Sequence, residues 1–118
     1  MDLQLKDKVV IVTGGAKGIG EGIVKALAAE GAIPVIIGRN EDDNKKTLSA
    51  IAPSGFQVTA ELSSPDECSR AVVEVLKNFG RIDGLVNNAG VNDGVNLENG
   101  SYAAFMESLH KNLYIITW

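Results

Sequence analysis

Apolar residues along the chain alternate between short β-branched runs and segments in which they recur every three or four positions. The first run, residues 8–13, is apolar on both faces, which is typical of a central parallel strand covered by helices. From Gly18 to Glu30 the apolar positions lie on one face of a helix, and Gly31 stands where a C-terminal glycine cap is expected. The pattern therefore predicts a strand, a glycine-rich turn and a helix.

Three more strand–helix pairs follow in the same way. Asn40 is placed to cap the second helix, and Ser64-Pro65-Asp66-Glu67 has the form of a capping box at the start of the third. We expect the third helix to end at Gly80 and the last helix to start near Ser101. The remaining predicted strands are 33–37, 56–60 and 84–88. The apolar stripe predicted for the third helix is Cys68, Val72, Val75, Leu76 and Phe79.

Four strand–helix units without an intervening linker predict a doubly wound α/β sheet of the Rossmann type. Right-handed crossovers restrict its topology, and we expect the strand order 3-2-1-4, with a switch point between strands one and four. Ligands of such sheets bind beyond the carboxyl ends of the strands at that point. We expect residues 1–118 to form one domain of this kind.

Composition excludes several other classes of protein. The chain has 118 residues, 45% apolar and 22% charged, which is typical of one globular domain. Its net charge of −4 gives no general attraction to nucleic acid or membrane, so neither is expected as a partner. No apolar run approaches the ~20 residues of a membrane span and no leader pattern is present, so we expect a cytoplasmic protein. A single cysteine, Cys68, excludes a disulfide within the chain and a multi-cysteine zinc site, and no metal is expected.

Glycines cluster between the first strand and its helix, in Thr13-Gly14-Gly15-Ala16-Lys17-Gly18-Ile19-Gly20. Such glycines permit a tight turn and a close approach of backbone to a ligand, while the helix N-terminus offers N–H groups to a pyrophosphate. A triphosphate-binding P-loop is the rival interpretation. It requires a lysine after the last glycine, where this chain has Glu21. The turn therefore favours a dinucleotide.

Two motifs in this order, Thr13-Gly14-x-x-x-Gly18-x-Gly20 and Asn87-Asn88-Ala89-Gly90, resemble the paired signatures of the short-chain dehydrogenase/reductase family. The resemblance extends from residue 5 to about residue 113. Residues 1–20 and Asn92-Asp93-Gly94 look most similar to bacterial sugar dehydrogenases of the L-fucose type. The resemblance implies an NAD(P)-dependent oxidoreductase that acts on a CH–OH or C=O group of a small alcohol or carbonyl substrate.

The choice of nicotinamide cofactor depends on the end of the second strand. An acidic residue about 20 positions after the glycine turn normally binds the ribose 2′-hydroxyl of NAD and repels a 2′-phosphate. That position is Gly38, followed by Arg39, whose guanidinium can bind phosphate through two parallel N–H bonds. Lys17 would approach the same phosphate, and the family pairs such residues with NADP. We expect NADP as the preferred cofactor. NAD is the alternative, because the acidic residues 41–43 lie nearby and oppose the attraction of a 2′-phosphate. Ordinary solvated charges are the other interpretation of Lys17 and Arg39.

The resemblance assigns further roles by position. The glycine turn with Ile19 would line the pyrophosphate, Glu61 and Leu62 would meet the adenine, and Asn88–Gly90 would lie against a ribose. The family more often has aspartate at the position of Glu61, so that contact could shift. The cofactor-binding candidates are Gly14, Lys17, Gly18, Ile19, Gly20, Arg39, Glu61, Leu62, Asn88, Ala89 and Gly90.

Catalysis in this family rests on a serine and a Tyr-x-x-x-Lys pair, with a buried asparagine that holds a water in the proton relay. Asn112 falls at the position of that asparagine and is the catalytic candidate; a core asparagine bonded to backbone is its other interpretation. Tyr102 is followed four residues on by Met106, and Tyr114 by Trp118, so neither forms the pair.

We therefore expect an N-terminal cofactor-binding part of an oxidoreductase, truncated after its fourth βα unit and inactive by itself. A non-catalytic NADP-binding module and an inert fragment are the alternatives. A homo-oligomer stays open, because the helices by which the family pairs are only partly present.

Overall fold

The computed structural model describes residues 2–51, 54–90 and 98–112. Within them, the strands are β1 Val9–Thr13, β2 Ile33–Gly38, β3 Phe56–Thr59 and β4 Gly84–Val86. The helices are α1 Gly18–Ala29, α2 Glu41–Ile51, α3 Pro65–Phe79 and α4 Tyr102–Asn112. The strands are parallel in the order β3-β2-β1-β4. The predicted α/β fold and the order 3-2-1-4 are confirmed.

The central strand β1 is buried along its whole length and separates two apolar clusters. On one face Ile11 packs in a cluster with Val75 of α3, and on the other Val12 packs with Val24 of α1. Helices on both faces explain why β1 up to Val12, and β2, are apolar at consecutive positions rather than at alternate ones. At the edge of the described sheet, Leu85 of β4 is 57% exposed.

Helix α3 buries a narrower stripe than the one predicted. Cys68, Ala71 and Val75 are buried, whereas Val72 and Leu76 are 39% and 44% exposed. The buried residues follow a single row of i, i+3 and i+7 positions, which is the row that meets the sheet. Val72 and Leu76 each lie one position further round the helix, so the prediction that they are buried was wrong.

The ends of α3 carry the predicted caps in part. Ser64 Oγ accepts the N–H of Glu67 at 3.4 Å, and Gly80 ends the helix with a φ of 71°. The reciprocal bond of a capping box is absent from Ser64 and Glu67. The Glu67 carboxylate binds the Arg70 guanidinium at 2.8 Å, and the Ser64 N–H donates to the Glu61 carbonyl at 3.1 Å. A charged partner three residues away therefore replaces the backbone N–H as the contact of Glu67.

Other predicted boundaries agree within two residues. Asn40 Oδ1 accepts the N–H of Asp43 at 3.0 Å at the start of α2, and Gly31 after α1 has a φ of 83°. Strand β3 ends one residue earlier than predicted, at Thr59, and β4 ends two residues earlier, at Val86.

Asp83 joins the start of β4 to the start of β1 through two hydrogen bonds with Val9. Its Oδ2 accepts the N–H of Val9 at 2.8 Å, and its own N–H donates to the Val9 carbonyl at 2.8 Å. Hydrogen bonds from the Arg81 side chain, followed by the one from the Val9 N–H, hold the pKa of the Asp83 carboxyl below its ordinary value of 3.8. The folded chain therefore favours the ionised form of the Asp83 carboxyl.

We expect Asp83→Asn to remove an acid-dependent part of the stability. A carboxyl whose pKa is lower in the folded chain stabilises the fold above its unfolded pKa, and this contribution is lost as the pH falls through the folded pKa. The wild-type melting temperature should exceed that of the variant at neutral pH, and the difference should shrink below pH 3.8. An equal difference at both pH values would show that the carboxylate charge plays no part.

Candidate functional site

A cavity of about 510 Å³ lies at the carboxyl ends of the strands. This volume falls within the usual range of small-molecule sites. Its position agrees with the crevice predicted for a doubly wound sheet. Eight of the predicted cofactor residues line it: Gly14, Lys17, Arg39, Glu61, Leu62, Asn88, Ala89 and Gly90.

The glycine turn packs backbone to backbone against the loop that follows β4. A Cβ on Gly14 would lie 3.0 Å from the Cα of Ala89, and Gly14 has a φ of 67°. A Cβ on Gly20 would overlap the Gly14 carbonyl and lie 2.5 Å from Asn88 Nδ2. Gly18 differs, since its φ is 57° but open space lies where its Cβ would be. Two of the glycines are thus required by close packing and the third by backbone conformation.

Helix α1 begins without a side-chain cap. Lys17 occupies the N-cap position and makes no capping hydrogen bond with its side chain. The first N–H groups of the helix and its positive dipole end are therefore available to an anion. Ile19 is 79% exposed at this end, and Gly20 is buried. Gly18, Ile19 and Gly20 begin the helix beside the cavity and do not line it.

Thr13 joins the ends of β1 and β4 and was not among the predicted site residues. Its Oγ1 accepts the N–H groups of Asn88 and Ala89, each at 3.0 Å, and donates to the Val86 carbonyl at 3.3 Å. The amide of Asn88 returns the contact, donating to the carbonyls of Thr13 and Gly14 at 3.2 Å. These bonds replace ladder pairing after Val86. The sequence signal for these bonds is Thr13 itself, a polar residue at the end of the otherwise apolar β1.

The two predicted phosphate-binding cations differ in their partners. Lys17 Nζ lies 3.0 Å from the Asp43 carboxylate, although the Lys17 side chain remains 76% exposed. Arg39 is exposed and forms no hydrogen bond or ion pair with any residue that the structure describes. Within the described part of the chain, Arg39 is therefore the positive charge at the cavity without a partner, whereas part of the Lys17 charge is neutralised by Asp43.

The predicted adenine residues form hydrogen bonds with neighbouring residues. The Glu61 carboxylate accepts the Ser63 N–H at 3.2 Å and the Ser63 hydroxyl at 2.9 Å. The Leu62 carbonyl accepts the thiol of Cys68 at 3.4 Å.

Burial, with smaller effects from the charges of Glu67 and Glu61, raises the pKa of Cys68 to about 11. Cys68 is thus a neutral, buried structural residue, as predicted.

Asn44 of α2 lines the cavity and was missed by the sequence reasoning. It is 1% exposed, and its Nδ2 donates to the Gly38 carbonyl at 3.0 Å and to Gln57 Oε1 at 3.2 Å. Its Oδ1 is buried and lacks a hydrogen-bond partner among the described residues. A polar residue after three acidic ones in the sequence gives no signal of this burial.

Asn112 is the last residue of α4, and its side chain lies outside the described residues, as do Asn92-Asp93-Gly94 and residues 113–118. In the described part of the chain, His, Cys, Asp and Glu side chains form no group of three that could hold a metal ion. The helices described there are too short or too polar to cross a membrane.

Residues 8–116 match the family model described as short chain dehydrogenase. The chain belongs to the short-chain dehydrogenase family. Within that family, the chain corresponds to the N-terminal, Rossmann-type region.

Its relatives are about twice as long. The 12α-hydroxysteroid dehydrogenase of Clostridium sp. is 40% identical over an alignment of 118 positions that covers 91% of this chain and 46% of the relative. The 3-ketoacyl-(acyl-carrier-protein) reductase of Brucella melitensis, solved with NADH, has a TM-score of 0.88 and 32% identity over 95% of this chain and 46% of its own. The NADH-dependent reductase A1-R′, solved with NAD, has a TM-score of 0.86 and 30% identity over 98% of this chain and 50% of its own. This short-chain dehydrogenase chain spans about half the length of these proteins.

Proposed function

We propose that the chain is the cofactor-binding part of an NAD(P)-dependent oxidoreductase acting on a CH–OH or C=O group of a small alcohol, such as a sugar. The observation that carries the proposal is the glycine turn, packed closely against Asn88 and the backbone of Ala89 beside the uncapped start of α1. Two structural relatives solved with NADH and NAD support a nicotinamide dinucleotide as the ligand. The closer similarity to L-fucose-type sugar dehydrogenases stays a prediction.

The residues at the cavity fit the parts of a dinucleotide in order. The amides of Gly18–Gly20 would hold the pyrophosphate at the helix N-terminus, and Asn88–Gly90 would lie against a ribose. The aliphatic side chain of Leu62 would contact the adenine. When bound, the cofactor supplies the hydride donor or acceptor, and residues 1–118 supply its binding and orientation.

We propose NADP rather than NAD as the preferred cofactor. Position 38 carries no carboxylate to repel a 2′-phosphate, and Arg39 has no competing partner in the described residues. The Lys17–Asp43 ion pair reduces the contribution of Lys17. Arg39 is therefore the residue expected to carry most of the selectivity.

The chain by itself is proposed to bind cofactor without turnover, because its sequence holds no Tyr-x-x-x-Lys pair. Asn112 is proposed as the proton-relay asparagine of the complete site. The cytoplasmic location and a homo-oligomeric state stay predictions. A non-catalytic NADP-binding module is the second candidate, favoured by the same cavity.

A titration of the chain with NADPH tests the proposal. We expect saturable NADPH fluorescence, a cooperative melting transition that rises with NADPH, and no NADPH oxidation with a panel of sugars and other carbonyl compounds. Oxidation of NADPH would overturn the predicted inactivity. A folded chain that binds neither NADPH nor NADH would overturn dinucleotide binding, and an oligomeric state without a melting transition would favour the inert fragment.

A further inference from the structure

The orphaned amide oxygen of Asn44 lies where a side chain at position 38 would begin. A Cβ on Gly38 would be 2.7 Å from Asn44 Oδ1, closer than real Cβ atoms approach such an atom. Position 38 is the end of β2, where a dinucleotide fold that uses NAD places its acidic residue. Asn44 therefore fills the volume into which that acidic side chain would extend.

Asn44 is held in this position from two sides. Its Nδ2 donates to the Gly38 carbonyl at 3.0 Å and to Gln57 Oε1 at 3.2 Å, so two strands fix the orientation of the amide. Reversing the amide would point its oxygen at the Gly38 carbonyl oxygen and lose both bonds. The side chain is 1% exposed and borders the cavity, so moving it away from position 38 would break both of these hydrogen bonds.

We propose, on the basis of the proposed dinucleotide function, that Asn44 is a specificity-determining residue that keeps the end of β2 free of an acidic side chain. It acts through packing and through its partnerless oxygen, which would repel a carboxylate at position 38. In this proposal Arg39 attracts the 2′-phosphate, and the packing of Asn44 against Gly38 leaves no room there for an acidic side chain that would bind a 2′-hydroxyl instead.

The test compares Gly38→Asp, Asn44→Ala and the double variant, with the dissociation constants of NADH and NADPH as readout. Gly38→Asp alone should leave the ratio of NADH to NADPH affinity near the wild-type value, since Asn44 occupies the volume in which the carboxylate would have to orient. In the Asn44→Ala background the same substitution should shift the preference toward NADH by ~10-fold or more, equal to about 1.4 kcal/mol. Asn44→Ser serves in the same design if Asn44→Ala does not fold.

Asn78→Ala is the matched control for Asn44→Ala. Asn78 lies on α3, and among the described residues its side chain bonds only to the Glu74 carbonyl. Gly38→Asp combined with Asn78→Ala should behave as Gly38→Asp alone. A full shift toward NADH in the single Gly38→Asp variant would overturn the proposal.

Failure of the proposed function is recognised separately. A wild-type chain that binds neither dinucleotide contradicts the proposed function and removes the selectivity role with it. The packing role is then measured by melting temperature: Gly38→Ala should destabilise wild type more than the Asn44→Ala variant. Equal destabilisation in both backgrounds would overturn the packing role as well.

Discussion

Gly20→Ala should weaken NADPH binding by ~100-fold or more, or abolish it, where each factor of ten is about 1.4 kcal/mol. The new methyl group would overlap the Gly14 carbonyl and the Asn88 amide. The Gly14 N–H is held by the Ile37 carbonyl of β2, and the Asn88 amide donates to the carbonyls of Thr13 and Gly14. The turn and the loop after β4 must then separate, and the amides of α1 leave their positions beside the cavity. We also expect a loss of ~1–3 kcal/mol in the free energy of unfolding, as in other overpacked sites.

Gly22→Ala is the matched control, in the same helix and only two residues further on. Open space lies where the Cβ of Gly22 would be. The control should bind NADPH as wild type does and should be stabilised by ~0.5–1 kcal/mol, because alanine is the better helix former. Fluorescence titration and urea unfolding of the two variants measure both effects. Equal NADPH affinity in the two variants would contradict the close packing of the turn.

Arg39→Met should lower the affinity for NADPH by ~10-fold or more and leave the affinity for NADH nearly unchanged. A hydrogen bond to a charged group contributes about 1.5–3 kcal/mol, and only NADPH carries the phosphate that Arg39 would bind. The methionine keeps most of the length of the side chain and removes the charge. Titration of both dinucleotides at low and moderate salt measures the change. The NADPH affinity of wild type should fall more steeply with salt than that of Arg39→Met.

Lys77→Met, near the end of α3 and outside the cavity lining, is the control for loss of one positive charge. It should leave the ratio of NADPH to NADH affinity unchanged. If Arg39→Met weakens both dinucleotides equally, Arg39 acts on a part of the cofactor that the two share, and the proposed NADP preference is wrong.

The fold was predictable because its signals are local. The apolar runs of β1 and β2, the glycines that end α1 and α3, and the asparagine before α2 each report on residues within a few positions of themselves. Right-handed crossovers then leave few arrangements of four such units. The buried stripe of α3 was predicted less well, since an apolar residue such as Val72 gives no indication of which row meets the sheet.

The placement of the candidate site was predicted, but the contacts within it were not. Thr13 bonds to Asn88, 75 residues away in the sequence, and Asn44 of helix α2 bonds to Gln57 of strand β3. Such contacts arise only when the strands assemble, so no local pattern marks them. The Lys17–Asp43 pair is of the same kind and alters the charge at the cavity mouth.

The central claim is that residues 13–20 and 88–90 form one binding surface for a dinucleotide. Backbone amide chemical shifts of the isotope-labelled chain, followed during addition of NADPH, test it most directly. The account predicts that the largest saturable changes occur at residues 14–20 and 88–90, with Arg39 also affected and the outer face of α3 unaffected. Changes confined to other parts of a folded chain, or no changes at saturating NADPH, would contradict it.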